Sequence, residues 1–237
     1  DLVVVGGGPA GYAAALAGSS SGLSVGLVER DLLGGTCLHR GCIPAKELLE
    51  TANVHRTVAH AGDFGVIASA PTLDFATTQS RKNAVISRLF AGVNQLLENK
   101  EVTVFPGTGR LQPGRTVSVE RSDGGEQILT AESVVLAAGS VPRTIPGFEI
   151  DGELVLTSNE VLELQALPST AAIIGGGAIG CEFASMLSDL GTETTILESM
   201  SQLIPGADGD VANVLQRSFK KSCLLYTSDA ADEGLGV

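Results

Sequence analysis

The chain has 237 residues, 43% of them hydrophobic, with 30 glycines, four cysteines, no tryptophan and a formal net charge of −12. This is enough apolar chain for one large or two modest cores, and the composition suits an α/β nucleotide-binding protein better than a β-sandwich or a coiled coil. The acidic balance argues against nucleic acid as a partner, four unevenly placed cysteines do not make a secreted disulfide scaffold, and no apolar run is long enough to span a bilayer.

In chain order, Leu2-Val3-Val4-Val5 reads as a buried strand, entered directly at Asp1 with no initiating methionine. Gly6-Gly7-Gly8-Pro9-Ala10-Gly11 follows, then an alanine-rich helical stretch and a strand ending at Glu29. Cys37 and Cys42 come next, inside GGTCLHRGCIPAK. A helix is expected from 43 to about 60, with Pro44 tolerated in its first turn. A second runs from about 75 to 99, where Ala84, Val85, Leu89, Val93, Leu96 and Leu97 recur at helical spacing. Short β segments are expected near 102–105, 116–120 and 127–130, split by Gly- and Pro-containing turns. An apolar strand at 134–137 ends in Ala138-Gly139-Ser140, and a proline-containing crossover at 141–147 leads to a second strand, Ala171-Ala172-Ile173-Ile174. Gly175-Gly176-Gly177-Ala178-Ile179-Gly180, a helical stretch, a strand ending at Glu198 and a helix at about 211–221 complete the pattern. Beyond it, CLLYTSDAADE (Cys223 to Glu233) resembles translated read-through of a sequencing-library adapter, so 223–237 is expected to be a non-native tail and is set aside from the fold. Without Asp229, Asp232 and Glu233 the formal charge is still −9.

The two glycine runs form an internal repeat. Gly6, Gly8, Gly11 and Glu29 match Gly175, Gly177, Gly180 and Glu198 at a constant offset of 169 residues, and each acid lies 18 residues past its last motif glycine. The first glycine permits a tight strand-to-helix turn, the second lets the backbone approach a pyrophosphate, and the third allows helix to pack on strand. The helix N-terminus then offers N–H groups to the phosphates. A strand-end glutamate accepts hydrogen bonds from a ribose diol and repels a 2′-phosphate. The expected fold is therefore α/β, with two Rossmann-like dinucleotide-binding units and a small β-meander between them.

A cysteine pair just past a dinucleotide unit suggests electrons passing between a thiol couple and a flavin. A helix beginning just after Cys42 places that sulfur at a positive helix end, which favours the thiolate, and Lys46 lies one turn further on. Three other readings stay open. Zinc ligation lacks a second ligand pair at metal-site spacing. A structural disulfide over so short a loop removes little unfolded-state entropy. Two inert buried thiols are the third. Cys181, inside the second nucleotide helix, reads as a packing residue. His39, between the cysteines, reads as exposed or as standing behind the reacting groups rather than as a proton-transfer group, and His55 and His60 read as helix-surface residues.

GGTCLHRGCIPAK, preceded by GGGPAG and followed by GGGAIG, resembles the flavoprotein disulfide reductases, and within them the bacterial dihydrolipoamide dehydrogenases, from Asp1 to about Lys221. The Ile43-Pro44 pair fits that group better than the Val-Pro usual in glutathione and mercuric reductases. The resemblance implies an FAD-binding domain over 1–145, with its redox disulfide, and a truncated NAD-binding domain over 146–222. Cys37 matches the thiol that exchanges with substrate and Cys42 the thiol nearer the flavin. Lys46 matches the lysine beside the flavin ring, with Glu182 as its carboxylate partner. FAD would be held by Gly6, Gly8, Gly11, Glu29 and Arg30, by Gly35, Thr36 and Lys46, and by Gly109, Gly139 and Ser140, with Ala138 replacing the family's threonine. NAD would be held by Gly175, Gly176, Gly177, Ala178, Ile179, Gly180 and Glu198. The Ser-Met-Ser-Gln that follows Glu198 lacks the arginines that NADP-dependent relatives use.

The implied reaction oxidises a dihydrolipoyl dithiol through Cys37 and Cys42, with FAD as intermediate carrier and NAD⁺ as acceptor. The implied partners are the dihydrolipoyl groups of an acyltransferase or a glycine-cleavage carrier protein, in a cytoplasmic homodimer. The family's base is a histidine in a C-terminal dimerisation domain, whereas His39, His55 and His60 all precede residue 61. Residues 1–221 alone are therefore expected not to turn over. The competing readings are a related reductase of glutathione-like disulfides or a metal ion, and a non-catalytic FAD- and NAD-binding remnant.

Overall fold

A computed structural model of the chain describes residues 1–221 and the backbone of 225–227. The residues divide into two compact units that do not follow a single cut in the chain. One holds Asp1–Pro44 and Asn83–Leu162, the other Ala45–Lys82 and the chain from Glu163 onward.

In the first unit, β1 (Leu2–Val5), β2 (Val25–Glu29), β3 (Thr103–Pro106) and β7 (Ser133–Leu136) form a parallel sheet in the order β3-β2-β1-β7. Val4 faces Leu27 on one side and Val135 on the other. Alternation sends Leu2 and Val4 to one face, against Ala15 of α1 (Pro9–Ser20) and Leu97 and Phe90 of α4 (Phe75–Asn99). Val3 and Val5 go to the other face, against Val117 and Val119 of a meander. Every β1 residue is buried, because both faces of this parallel sheet are covered. Each fully buried valine contributes about 1.5–3 kcal/mol.

The meander is β4 (Thr108–Gln112), β5 (Thr116–Glu120) and β6 (Glu126–Thr130), antiparallel in that order. The sequence reading lacks β4, because Gly109, Arg110 and Gln112 hide its alternation between two Pro-Gly turns. Gly109 has a packing reason of its own, since a Cβ there would lie 2.9 Å from Val5 and 3.1 Å from Val28.

Between β2 and α4 stand α2 (Gly35–Arg40) and α3 (Cys42–Ala59). The interval between the cysteines is thus mostly helical rather than an open loop, and α3 starts at Cys42 itself. After β7, the stretch 138–156 is largely exposed and ends at α5 (Ser158–Leu162), opened by Thr157 and Glu160 in a capping pair.

In the second unit, β8 (Thr170–Ile174) and β9 (Glu193–Leu197) pair in parallel, with α6 (Ala178–Asp189) and α7 (Gly209–Lys221) enclosing Cys181, Ala184, Ile196, Leu203 and Phe219. Leu225–Thr227 run along β9 as a further parallel strand, β10, within a segment the sequence reading sets aside. Cys223 and the remainder of that tail lie outside the described residues. Among the described residues no helix is long and apolar enough to cross a membrane.

Candidate functional site

The two glycine turns share one construction. Gly6 and Gly175 have φ of +104° and +103°, a region closed to most L side chains. A Cβ on Gly11 would lie 1.7 Å from the Gly6 carbonyl oxygen, and one on Gly180 would lie 2.1 Å from that of Gly175. These four glycines are required by the fold. Gly8 and Gly177 differ, because each has an extended backbone that alanine adopts readily. A Cβ on Gly8 would meet only the Gly35 Cα at 3.9 Å, and one on Gly177 would meet nothing within 4 Å. Their lack of a side chain leaves room for something other than the protein itself. Neither α1 nor α6 has a side-chain cap hydrogen bond at its N-terminal end, and an uncapped helix start of this kind suits an anion.

Both strand-end acids are held by their own loops. Glu29 Oε2 accepts from Gly7 N–H at 2.5 Å and its Oε1 from Asp31 N–H at 2.8 Å. Glu198 Oε2 accepts from Gly176 N–H at 2.7 Å and its Oε1 from Met200 N–H at 2.9 Å. Burial pushes the Glu198 carboxyl up, but the N–H groups of Met200 and Gly176 outweigh it and hold the carboxyl below its ordinary value. A buried leucine seals each turn from below. A Cβ on Gly7 would strike Leu33 at 2.7 Å, and one on Gly176 would strike Leu203 at 2.4 Å. The sequence reading missed both leucines, which lie one residue out of step in the repeat.

In the first unit the cysteine segment starts directly against the glycine turn. Gly35 has φ +57°, and a Cβ on it would lie 2.6 Å from the Gly8 Cα. Gly34 N–H donates to the Gly7 carbonyl at 2.8 Å. Cys37 on α2 is half-buried and Cys42 is exposed. Thr36 and Arg30 are exposed, as are Gly139 and Ser140 beyond β7. His39 is neither exposed nor idle. Its Nε2 lies 2.9 Å from the Leu33 carbonyl, and its ring meets Phe90 edge-on at 5.3 Å.

In the second unit Lys46 on α3 donates to Glu182 Oε1 on α6 at 2.6 Å, a pairing of two residues 136 apart in sequence. The same two helices meet again ten residues along α3, where His55 Nδ1 lies 3.0 Å from the Asp189 carbonyl and Arg56 pairs with the Asp189 carboxylate at 2.6 Å. His55 is therefore a cap on the end of α6 rather than a plain surface residue. Cys181 is buried, donates to the Gly176 carbonyl at 3.3 Å, and is pushed up by burial and then by the Glu198 charge. It stays a neutral thiol with a structural role. Ala178 and Ile179 stand exposed at the start of α6. Lys82, not singled out by the sequence reading, is fully buried and pairs with Glu163 at 2.8 Å. No three metal-ligating side chains cluster among the described residues.

The sequence profile of the family described as pyridine nucleotide-disulphide oxidoreductase matches residues 1–224. Among curated proteins, a dihydrolipoyl dehydrogenase of Bacillus subtilis is 42% identical over 97% of this chain and 50% of its own length. One from Chlamydia pneumoniae is 40% identical over 98% of this chain and 50% of its own. Among solved structures, LpdA from Mycobacterium tuberculosis superposes with a TM-score of 0.87 at 27% identity, covering 95% of this chain and 50% of that one. The HOCl-induced flavoprotein disulfide reductase RclA from Escherichia coli gives 0.80 at 28%, covering 96% and 48%. The chain spans about half the length of the curated relatives it matches.

Proposed function

The chain belongs to the pyridine nucleotide-disulphide oxidoreductase family, and from that premise we propose that it carries the nucleotide-binding and redox-cysteine portion of a dihydrolipoamide dehydrogenase. The observation that carries this reading is the abutment of Gly35 on Gly8, which starts the Cys37 helix at the edge of a turn left open for a dinucleotide. FAD fits the first turn, whose Gly8 leaves a cradle that a Cβ would fill, and NAD fits the second at Gly177 on the same ground. When bound, FAD supplies a two-electron carrier between the thiol pair and the nicotinamide.

The chain's own residues do the thiol chemistry. In the oxidised enzyme one thiolate of the dihydrolipoyl dithiol attacks the Cys37 sulfur, the Cys37–Cys42 bond breaks, and Cys42 leaves as a thiolate. The second substrate thiol then attacks the mixed disulfide, which closes the lipoyl ring and frees Cys37. Lys46 and Glu182 form an ion pair whose side chains are 58% and 37% exposed, open to a ligand. Glu29 and Glu198 retain acceptor capacity for a ribose diol, and Ser199, Met200 and Gln202 offer no cation to a 2′-phosphate. The implied partners are lipoyl-bearing proteins in the cytoplasm, with a homodimer as the working assembly.

RclA supports a second reading, a flavoprotein disulfide reductase with another substrate. The test is to equilibrate the purified chain, its Cys37–Cys42 pair oxidised, with dihydrolipoamide, and the reduced single-cysteine variants with oxidised lipoamide, and to map the thiols. Cleavage of the Cys37–Cys42 bond in the parent, with a mixed disulfide that forms at Cys37 in Cys42→Ser and does not form in Cys37→Ser, is the expected result. Exchange at neither cysteine would remove the proposal.

A further inference from the structure

We propose that His39 is the positioning residue for Cys37: its ring fastens the helix that carries Cys37 to the preceding loop and so sets the geometry in which the Cys37–Cys42 disulfide closes. The inference rests on the redox reading of that pair. α2 has only six residues and no side-chain cap at its N-terminal end, whereas an isolated helix needs roughly 12–15 residues to persist. Something outside the helix must hold it.

His39 and Arg40 reach out from this segment. Arg40 pairs with Asp31, but both side chains are nearly half exposed, so the pair is screened and weak. His39 does more. Its Nε2 reaches the carbonyl of Leu33, a residue that itself lies buried beneath the Gly7 turn, and its ring edge rests on Phe90 of α4. A carbonyl only accepts, so Nε2 must carry the hydrogen. The imidazolium has that same N–H, and the tie therefore holds in either charge state. α5 packs against α2 as well, so the helix is gripped between His39's anchor and a neighbouring element.

The linkage to chemistry is geometric. A disulfide closes only when the two Cα atoms lie within about 4.4–6.8 Å and the Cβ vectors converge. Gly41 is the one residue between α2 and α3, and a Cβ on it would crowd the Thr36 carbonyl at 3.0 Å. The joint beside Cys42 is therefore tight, and the aim of the Cys37 side chain depends on how α2 is held. Releasing His39 lets α2 rotate and lowers the effective concentration of one sulfur at the other.

The test equilibrates the full 237-residue chain with mixtures of oxidised and reduced glutathione and measures the Cys37–Cys42 disulfide by alkylation and peptide mapping. Each event converts two cysteine thiols to one S–S bond, giving up two electrons and two protons, and cleaves one oxidised glutathione to two thiols. His39→Leu keeps bulk against Phe90 without a donor and should lower the equilibrium constant about tenfold, or about 30 mV for this two-electron couple. His39→Gln places an amide N–H near the position of Nε2 and should stay within about threefold of the parent. A merely structural role would lower the melting temperature of both variants while leaving the equilibrium of the folded protein unchanged, and that result would overturn the proposal. So would His39→Gln falling as far as His39→Leu. Should His39→Leu not fold, His39→Met, equally without a donor, takes its place. A parent pair that stays reduced at every glutathione ratio sinks the redox reading itself, and the proposal with it. A normal parent with indifferent variants sinks the proposal alone.

Discussion

Each strand-end glutamate serves its own glycine turn before it serves a ligand. A carboxylate offers about four acceptor positions, and in Glu198 one is used by Gly176 N–H and one by Met200 N–H. Glutamine would keep one acceptor and set its NH₂ against the other N–H. Glu198→Gln should therefore cost about 1–3 kcal/mol at neutral pH, the range for a polar group left without its partner. The pH dependence has a definite sign. Because the folded carboxyl sits below its ordinary 4.5, the stability it adds is fully present above that pH and is lost as pH falls through the lower, folded value. Urea unfolding of parent and variant should separate at pH 7 and converge in strong acid. Equal midpoints at pH 7 would show that the two N–H bonds add nothing.

Between elements, the contacts that decide the second unit join α3 to α6. Lys46 meets Glu182 near one end and His55 with Arg56 meets Asp189 at the other. The latter places donors and a cation at a helix C-terminus, where the dipole favours them. Burial pushes the Asp189 carboxyl up, and Arg56 only partly offsets this. A folded value above the ordinary 3.8 means that any stability from this group is present below that pH and lost as pH rises through the folded value. At neutral pH the charge is therefore a net burden. Asp189→Asn should lie within about 0.5 kcal/mol of the parent or exceed it, while Arg56→Ala, which strands a mostly buried carboxylate, should cost about 1–3 kcal/mol, the range for a buried polar group left without its partner. Thermal unfolding of the two variants at pH 7 checks the order, and a costlier Asp189→Asn would refute it. Such contacts explain what was legible in the sequence. α4 and β5 occupy the expected ranges because their apolar periodicity is local. α2 was not legible, since six residues between glycines show no period. The roles of His55 and Lys82 depend on partners at positions 189 and 163, which no local pattern encodes.

At the scale of the whole molecule, the repeat with its constant offset places two open turns in one chain, one in each compact unit. Their glycines divide by physical cause, a distinction that the motif alone does not make. Gly11→Ala and Gly180→Ala drive a Cβ into a carbonyl oxygen at about 2 Å or less, so either should unfold its unit, as overpacking against backbone does. Gly8→Ala and Gly177→Ala find no obstruction in the protein and should melt within a few degrees of the parent. What they fill is the space a pyrophosphate would take. If the two turns are separate nucleotide sites, Gly177→Ala weakens NADH binding by tenfold or more, on the order of 1.4 kcal/mol, and leaves FAD binding at the parent level. Gly8→Ala does the reverse. Fluorescence titration of each variant with each nucleotide reads all four combinations against one melting curve per protein. Loss of both nucleotides from either variant would mean that the turns act as one site. Loss of neither would mean that the open space at Gly8 and Gly177 is not where the phosphates lie.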